Sequence, residues 1–577
     1  MEGSFDEERE MIKEPLLKNS PKGGIRTMPF IFANGMLEKV ANYGLTPNMA
    51  MYLMKKYHMK MTTASNILFY WSAATNFMPV IGAIIADSYV GRFTMIGFGS
   101  VVSLLGMTLL WLTALLPGLR PLPCNDSVNN CSSTTIPQLF LLCTSFAVIA
   151  IGSGCLRSCS LAFGADQLET EDCHRKGGFL EKYFGWYYAT YTFSIFIALT
   201  CVVYIQDKLG WGYGFGVPVV LMILATLLFF LGTPFYVRVK AKASLITEII
   251  QVIVASCRKR QIGTSFHNVN MIFHRKKGSA LLFPTEKLRF LNRACVIQDA
   301  RQELTPEGRA RNPWSLCTVD QVEDLKALLK VIPLWSTGMI TFINASQSSF
   351  AVLQATSMNR KITANFEIPA GSFGIFSVVA IILWVPLYDR VILPIVSRIR
   401  GKPTYFSTKQ RMGAGIFLSC VCMIVTAVVE SIRHSLANKE GSSDFPQAMV
   451  QMSALWLVPQ YCLLGISEGL NAIAQNEFYI SELPKSMSSI ASTLCSVGMA
   501  VANMLASFLM NTIDDMTKGG GHESWVSTNI NKGHYDYYFW VLSGLSMVNF
   551  LYFLLCCWTY GPLRGEEEKA RDEDVLS

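Results

Sequence analysis

Residues 93–116 read FTMIGFGSVVSLLGMTLLWLTALL, an uninterrupted apolar run without a charged side chain. A helix of about 20 such residues crosses a hydrocarbon core of about 30 Å, so this run predicts a membrane-spanning helix. The whole chain agrees, because 51% of its 577 residues are hydrophobic and only 16% are charged. Soluble domains contain about one quarter charged residues. The sequence therefore excludes a disordered chain, a disulfide-built secreted domain and an ordinary cytosolic enzyme, and predicts an all-α polytopic membrane protein.

Similar apolar runs recur along the chain and predict about twelve spans in two groups of six. The first six are 28–54, 63–88, 93–116, 136–162, 184–205 and 213–236. The second six are 322–346, 368–393, 410–432, 449–475, 485–512 and 537–560. Spans one, two and ten are more polar, as expected of helices that line a cavity. The predicted units are a tail, a six-helix bundle, a basic linker, a second six-helix bundle and an acidic tail, with boundaries 1–27, 28–236, 237–320, 321–562 and 563–577.

The distribution of Lys and Arg predicts the orientation, since cytoplasmic loops contain an excess of these residues. The linker carries Arg258-Lys259-Arg260, and the loop between spans eight and nine is also basic. An even number of spans then places both termini and the linker in the cytoplasm. The linker is interpreted as a solvated connector, with a basic face on anionic lipid as the alternative. No cleavable signal peptide precedes the first span, which is expected to serve as the insertion signal.

The loop between spans three and four contains two N-glycosylation sequons, at Asn125 and Asn130. The predicted topology places this loop outside the cytoplasm, where glycans are added. Cys124 and Cys131 lie beside the sequons and could form a disulfide in that oxidising compartment; two free thiols are the alternative.

Ionisable side chains inside predicted spans are functional candidates, because each costs several kcal/mol at membrane depth. They are Glu38 and Lys39 in span one, Arg157 in span four, and Glu477 at the cytoplasmic end of span ten. The seven histidines all lie in loops, and no cysteine or histidine spacing predicts a metal site. An enzyme and a cofactor are therefore not expected. Nucleic-acid binding is not expected either, because the net charge of +8 comes from basic residues between the spans.

A single Arg and a few carboxylates that face an internal cavity suit a transporter, since the cation attracts an anion and a carboxylate can carry a proton. Amide side chains inside the spans would extend a polar path, although hydrogen bonding between helices is the favoured explanation for any single one of them. These amides are Asn66, Asn76, Asn344, Gln347, Asn471 and Gln475.

Six short motifs give the chain a family resemblance. Two of them end spans two and four: GAIIADSYVGR at 82–92 and FGADQ at 163–167. The others are NGMLEK at 34–39, IPAGS at 368–372, YDR at 388–390 and NEF at 476–478. Together they resemble the proton-dependent oligopeptide transporter branch of the major facilitator superfamily and, within it, the plant nitrate/peptide transporter family. The resemblance covers residues 27–563 and is closest to the first subfamily of that plant family.

The resemblance implies the twelve-helix facilitator fold, in which two six-helix bundles rock around a central site. Asp87 and Arg92 would lock the bundles together on the cytoplasmic side. In family members a span-four cation faces a span-ten glutamate across the cavity, and the matching positions are taken as Arg157 and Glu477. A bound anion or a protonated Glu477 would release this gate; a static structural pair is the alternative. Arg157 is expected to bind substrate together with Asn76, Gln347 and Gln475.

The chain departs from the family pattern at position 35. The family element ExxE[R/K] places two carboxylates and a cation on one helical face, and Glu38 and Lys39 are expected to couple transport to protons with Glu477. Gly35 replaces the first carboxylate. Either Glu38 still couples to protons, or the coupling has weakened and the protein is a facilitative uniporter or a sensor-like member without transport. A smaller departure is Ser158, where the family motif usually has Pro.

Substrate chemistry follows from this departure. A dipeptide carries an amine and a carboxylate, so loss of an acid at position 35 makes peptide transport less favoured. A small anion, nitrate or a carboxylate plant hormone such as gibberellin, needs only a cation and a pocket. The expected partners are this anion, protons and membrane lipid, with regulatory kinases left as an open class because no phosphorylation site is assigned. The plasma membrane is favoured over the vacuolar membrane.

Overall fold

The computed structural model describes residues 23–561 except for 123–133, 169–178, 239–244, 262–271, 276–282, 307, 402–404, 447, 485–486 and 520–522. Both predicted glycosylation sequons, and the two cysteines beside them, lie outside the described residues. Glycosylation and the disulfide therefore stay predictions.

The N-terminal half is helical. Its helices are α1 (Met28–Leu45), α2 (Met49–Tyr57), α3 (Met61–Ile85), α4 (Arg92–Leu115), α5 (Ile136–Leu168), α6 (Phe179–Ile197), α7 (Val203–Lys208) and α8 (Trp211–Leu231). π-helical turns extend α3 over Ala86–Val90 and join α6 to α7 over Ala198–Val202. Helix α5 passes without a break through Ser158, whose hydroxyl donates to the carbonyl of Cys155 at 2.9 Å.

The segment between the halves contains short elements, which are α9 (Leu245–Arg258), β1 (Ile272–Phe273), α10 (Arg289–Asn292), β2 (Val296–Ile297) and α11 (Ala300–Glu303). The C-terminal half contains α12 (Val319–Ser346), α13 (Ser348–Thr356), β3 (Met358–Asn359), β4 (Lys361–Thr363), β5 (Phe366–Glu367), α14 (Ile375–Leu387), α15 (Leu393–Arg400), α16 (Thr408–Lys439), β6 (Val450–Ser453), α17 (Val458–Glu482), α18 (Ser488–Thr517) and α19 (Tyr535–Tyr560). The strands form three two-stranded sheets: β1 with β2 antiparallel, β3 with β6 parallel, and β4 with β5 antiparallel.

Ten helical segments in the described part of the chain are long and apolar enough to cross a membrane. Helices α1 and α17 are not among the ten and complete the twelve spans of an all-α, two-bundle fold. The expectation that spans one and ten are the polar ones is thus confirmed, whereas span two, built on α3, is apolar enough to belong to the ten. Span ten is displaced from its predicted limits of 449–475, because β6 and a 3₁₀ turn precede α17.

Each half has its own hydrophobic core. One cluster of buried residues draws only on positions between 28 and 236. A second draws on positions between 331 and 556 and adds only Met61 and Phe69 of α3 from the other half. Small residues allow close helix packing within a bundle: a Cβ on Gly152 of α5 would lie 2.3 Å from the backbone nitrogen of Ser103 on α4.

The two bundles are joined at one end. We call the end beside the segment 245–325 the linker end and the opposite end the far end. Asn66 of α3 donates to Asn511 of α18 at 2.7 Å, and Ser372 donates to the carbonyl of Leu199 at 2.7 Å. Within the described residues, each hydrogen bond or ion pair between the bundles lies in the far half of the molecule. The polar contacts that join the bundles are therefore concentrated at the far end.

The linker forms a small folded unit against the start of α12. Lys259, one of the three basic residues read as solvated, is buried: its Nζ lies 2.8 Å from Glu303 and donates to the carbonyl of Val296 at 2.7 Å. Burial raises the pKa of Cys295 to about 12 and that of Cys317 to about 11. The interpretation of this segment as a solvated connector is wrong for this part of it, because its lysine is paired and its thiols are enclosed.

Candidate functional site

The first functional element is a buried ion pair on α1. Lys39 Nζ lies 2.8 Å from Glu38 Oε2, and the two side chains are 8% and 3% exposed. The amide of Asn42 donates to the other Glu38 oxygen. Side chains of adjacent residues on a helix usually point in different directions. Glu38 and Lys39 nevertheless pair with each other, because each is a charge buried inside a bundle with few other partners. Its net charge is zero.

Arg157 of α5 adds an uncompensated positive charge beside this pair. Its Nη1 donates to Asn76 Oδ1 at 3.4 Å, which brings two of the predicted binding residues together. The guanidinium is in electrostatic range of Glu38 and Lys39. In the described part of the chain no carboxylate lies within ion-pair distance of Arg157. The N-terminal side of the site therefore carries one net positive charge.

A narrow cavity with room for about one water molecule lies between α1 and α6 beside Lys39. The residues that line it are Ile31, Phe32, Gly35, Met36, Lys39, Tyr187, Thr190 and Tyr191. Lys39 Nζ lies 5.9 Å from the centre of the Tyr191 ring, and the Tyr191 hydroxyl is hydrogen-bonded to that of Tyr43. A Cβ on Gly35 would meet no atom within 4 Å. The space that a side chain at position 35 would occupy is therefore empty, and no neighbouring side chain has filled it.

Sequence reasoning missed the carboxylate that the C-terminal bundle presents to this site, which is Glu468 near the middle of α17. Cys495 of α18 is in electrostatic range of both Arg157 of the N-terminal bundle and Glu468 of its own bundle, so the two charged groups share this neighbour. Among the described residues the Glu468 carboxylate has neither a hydrogen bond nor an ion pair. Its occurrence in an otherwise apolar run was a sufficient signal, because ionisable residues at membrane depth are functional candidates.

The prediction that Glu477 pairs with Arg157 is wrong for this structure. Glu477 Oε2 lies 2.5 Å from Arg411 Nη2 of α16 in its own bundle, and the Glu477 side chain is 49% exposed. Glu477 follows Glu468 by nine positions, and at about 100° per residue this places the two carboxylates on opposite faces of α17. Glu468 shares the neighbour Cys495 with Arg157, whereas Glu477 is paired with Arg411.

Two amides predicted to bind substrate are used in packing inside the C-terminal bundle. Gln347 donates to the carbonyl of Ile343 at 2.8 Å and accepts from Tyr538 at 3.0 Å. Gln475 is fully buried beside Gly338, where even a Cβ would lie 2.0 Å from its amide nitrogen. Both are corrected to helix-packing residues, because their hydrogen-bonding groups are satisfied inside the C-terminal bundle.

The predicted cytoplasmic lock lies within one bundle. Arg92 Nη1 lies 2.7 Å from Asp166 Oδ1 and 2.8 Å from Oδ2, and its Nε lies 3.5 Å from Asp87. These residues belong to the ends of α3, α4 and α5. The predicted lock between bundles is corrected to an ion-pair network among three N-terminal helices, because the ion-pair partners of Arg92 among the described residues all lie in its own bundle.

A second buried ionic group lies at the far end of the C-terminal bundle and was also missed. The side chains of Glu430 and Arg433 are 0% exposed, and their closest contact is 2.7 Å. Arg433 also donates to Asn531 at 2.6 Å, and Glu430 accepts from Gln354 at 2.8 Å. The spacing of three residues on a helix is the sequence signal for such a pair. The named partners of Glu430 and Arg433 all belong to the C-terminal bundle, so this ion pair stabilises that bundle.

Two six-helix bundles with a charged, partly open site between them define a polytopic membrane transporter. The family model described as PTR2, POT family, matches residues 93–526. The chain is 51% identical over 566 residues to Protein NRT1/PTR FAMILY 1.2 of Arabidopsis thaliana, covering 96% of this chain and 93% of that one. It is also 51% identical to Protein NRT1/PTR FAMILY 1.1 of the same plant, covering 96% and 95%. The chain therefore belongs to the NRT1/PTR family, within the POT family, with its similarity strongest toward the first subfamily.

Solved structures agree on the fold. A crystal structure described as an auto inhibited POT family peptide transporter matches with a TM-score of 0.67 at 19% identity, covering 93% of this chain and 98% of that one. The POT family transporter PepTSo matches with a TM-score of 0.66 at 17% identity and the same coverage. Because the relatives are transporters, the assignment of this chain as a transporter and not an enzyme is confirmed.

Proposed function

We propose that this protein is a secondary transporter that moves a small anion across the membrane by alternating access between its two bundles. The observation that carries the proposal is the net positive charge of the Glu38, Lys39 and Arg157 group beside an open cavity. An anion placed next to Arg157 would neutralise a charge that no described carboxylate pairs with. Nitrate and carboxylate plant hormones such as gibberellin both fit this chemistry.

Proton coupling in this proposal depends on Glu468. When charged, this carboxylate attracts Arg157 across the cavity and opposes anion binding; when protonated, it releases that attraction. Glu468 takes the role first assigned to Glu477, while Glu38 remains neutralised by Lys39. A substrate anion and a proton would then enter the site together, as in a symporter.

The open space at Gly35 supports a second candidate, a facilitative uniporter. With one carboxylate fewer on α1, protonation has fewer groups through which to change the charge of the site. The two candidates differ in one property, since only the symporter shows uptake that rises with external acidity.

The concentration of inter-bundle contacts at the far end fits an inward-facing state if the linker is cytoplasmic. The basic loops support that orientation, which places both termini in the cytoplasm. We further propose that the plasma membrane, in preference to the vacuolar membrane, contains the protein. Asp87 and Arg92 would contribute to gating by holding the linker ends of α3 and α4 in place.

The test is uptake of labelled nitrate and gibberellin by the full chain in oocytes, at about pH 5.5 and about pH 7.5, a range in which a buried carboxylate titrates. We expect uptake of at least one anion, faster at the acidic pH. Absence of uptake of both anions by protein that reaches the surface would overturn the transport proposal. Equal uptake at both pH values would select the uniporter.

Glu468→Gln and Glu477→Gln provide a matched pair, because they make the same chemical change on the same helix. We expect Glu468→Gln to remove the difference between the two pH values and Glu477→Gln to retain it. The opposite result would return the coupling role to Glu477.

A further inference from the structure

A group of three metal-binding side chain types lies at the far end of the C-terminal bundle, remote from the site between the bundles. It consists of His434 in the last turns of α16, His534 directly before α19, and Asp536 in the first turn of α19. One candidate ligand atom from each residue lies within 4.8 Å of the others. The two imidazole rings have centroids 4.8 Å apart.

Two atoms of this group lack a hydrogen-bond partner among the described residues. His534 Nδ1 and Asp536 Oδ1 face one another at 3.7 Å, beyond hydrogen-bond distance. Both atoms are buried, and neither has a hydrogen-bond partner among the described residues. Asp536 is only 8% exposed. Buried polar atoms are nearly always satisfied by protein, water or an ion. A cation bound between these two atoms would supply the partner that both lack.

The surroundings hold the group in position without competing for it. The ring of Tyr537 stacks on His534 with centroids 4.9 Å apart. Ser431 donates to the other oxygen of Asp536 at 3.5 Å, as a partner that orients a ligating carboxylate would. The neighbouring cation, Arg433, is neutralised by its buried ion pair with Glu430.

We propose that His434, His534 and Asp536 bind a divalent transition-metal ion of the zinc type. Two imidazoles and one carboxylate suit Zn²⁺, Cu²⁺ or Ni²⁺, and disfavour Ca²⁺ and Mg²⁺, which prefer oxygen ligands. Ligands about 2.0 Å from a tetrahedral ion lie about 3.3 Å from one another, so small side-chain movements complete the site. The ion would tie the end of α16 to the start of α19 on the surface that faces away from the linker.

The experiment uses the untagged full chain in detergent, titrated with Zn²⁺ alone by calorimetry. We expect about one ion per chain at up to about 100 µM Zn²⁺, with binding at least about tenfold weaker in His534→Asn and in Asp536→Asn. Co²⁺ is a second probe, and its visible bands should show a nitrogen- and oxygen-coordinated ion in the wild type only.

His58→Asn is the matched control, because His58 is another partly exposed far-end histidine with a backbone φ of 53° that Asn tolerates. This variant should bind Zn²⁺ as the wild type does. The unfolding temperature without metal shows that each variant is folded. Stoichiometric binding that survives in both site variants, or no binding by the folded wild type, would overturn the proposal.

Discussion

Replacing Gly35 by Glu restores the carboxylate that the family places at this position. The new side chain would fit, because a Cβ here meets no atom within 4 Å and the position lines the cavity beside Lys39. It would also precede Lys39 by four residues, the spacing at which Glu and Lys attract one another on a helix. The change would reduce the net charge of the Glu38, Lys39 and Arg157 group from one positive unit to zero.

The size of the effect follows from Coulomb's law. At an effective dielectric constant of about 20, two unit charges about 8 Å apart interact by about 2 kcal/mol. That energy corresponds to about a 30-fold change in a binding constant. Because the added carboxylate repels an anion at Arg157, we expect KM for the anion to rise by about this factor near neutral pH. Protonation at acidic pH removes the repulsion, so uptake should become more strongly dependent on acidity.

Initial uptake rates in proteoliposomes, measured over a range of anion concentrations at about pH 5.5 and about pH 7.5, would give KM for each variant. Gly35→Gln is the matched control, since it adds a side chain of the same size and removes the same glycine without adding a charge. Equal KM values for Gly35→Glu and Gly35→Gln at both pH values would refute the assignment of an electrostatic role to this position.

Three further outcomes are expected. A disulfide between cysteines introduced by Asn66→Cys and Asn511→Cys should lock the far end and stop uptake, with recovery on reduction, because these side chains touch across the bundles. Arg433→Met should lower stability by about 3–5 kcal/mol in a thermal unfolding assay, because it leaves a buried carboxylate unpaired. Native alkylation followed by mass spectrometry should label Cys257, which is exposed, and spare Cys295, whose raised pKa of about 12 keeps its buried thiol protonated at neutral pH.

Each of these outcomes has a control. Cysteines at Asn344 and Ser546, which touch within one bundle at 2.8 Å, should leave uptake intact when cross-linked. Lys532→Met removes only surface ion pairs and should change stability little. Uptake that continues in the cross-linked far-end variant would argue against alternating access. Wild-type stability in Arg433→Met would argue against a buried ionic role, and rapid labelling of Cys295 would argue against a folded linker.

The sequence predicted the architecture because hydropathy integrates over a whole span. It failed where helical phase mattered. The apolar residues of β6 and the turn at Ala454–Leu457 resemble the start of a span, so span ten was placed too early. Within α17, hydropathy cannot tell which face meets the other bundle, and Glu477 was chosen although Glu468 is the carboxylate that shares a neighbour with Arg157. The amide Gln475 illustrates the same limit, since its packing beside Gly338 depends on a neighbouring helix.

Contacts that depend on the path of a loop could not be predicted from the sequence either. Arg433 and Asn531 are brought together by the fold of the segment that precedes α19, and His434 and His534 meet through the same segment. Residues about one hundred positions apart carry no local pattern that links them. In contrast, the helix pair Glu430 and Arg433 could have been found from its spacing alone.

The far-end bond between Asn66 and Asn511 is neutral, whereas the strongest ionic contacts lie inside single bundles. A neutral hydrogen bond contributes about 0.5–1.5 kcal/mol net, and breaking a buried ion pair costs about 3–5 kcal/mol. Among the described residues one ion pair spans the bundles, Lys208 with Glu367 at 3.9 Å, and it is solvent-accessible and correspondingly weak. Separating the bundles at the far end therefore costs only the small free energy of a few neutral hydrogen bonds. Deforming either bundle costs more, because it leaves a buried charge unpaired. The contacts between the bundles that the structure describes are thus weak, being neutral hydrogen bonds and one solvent-accessible ion pair, whereas each bundle is held internally by buried ion pairs.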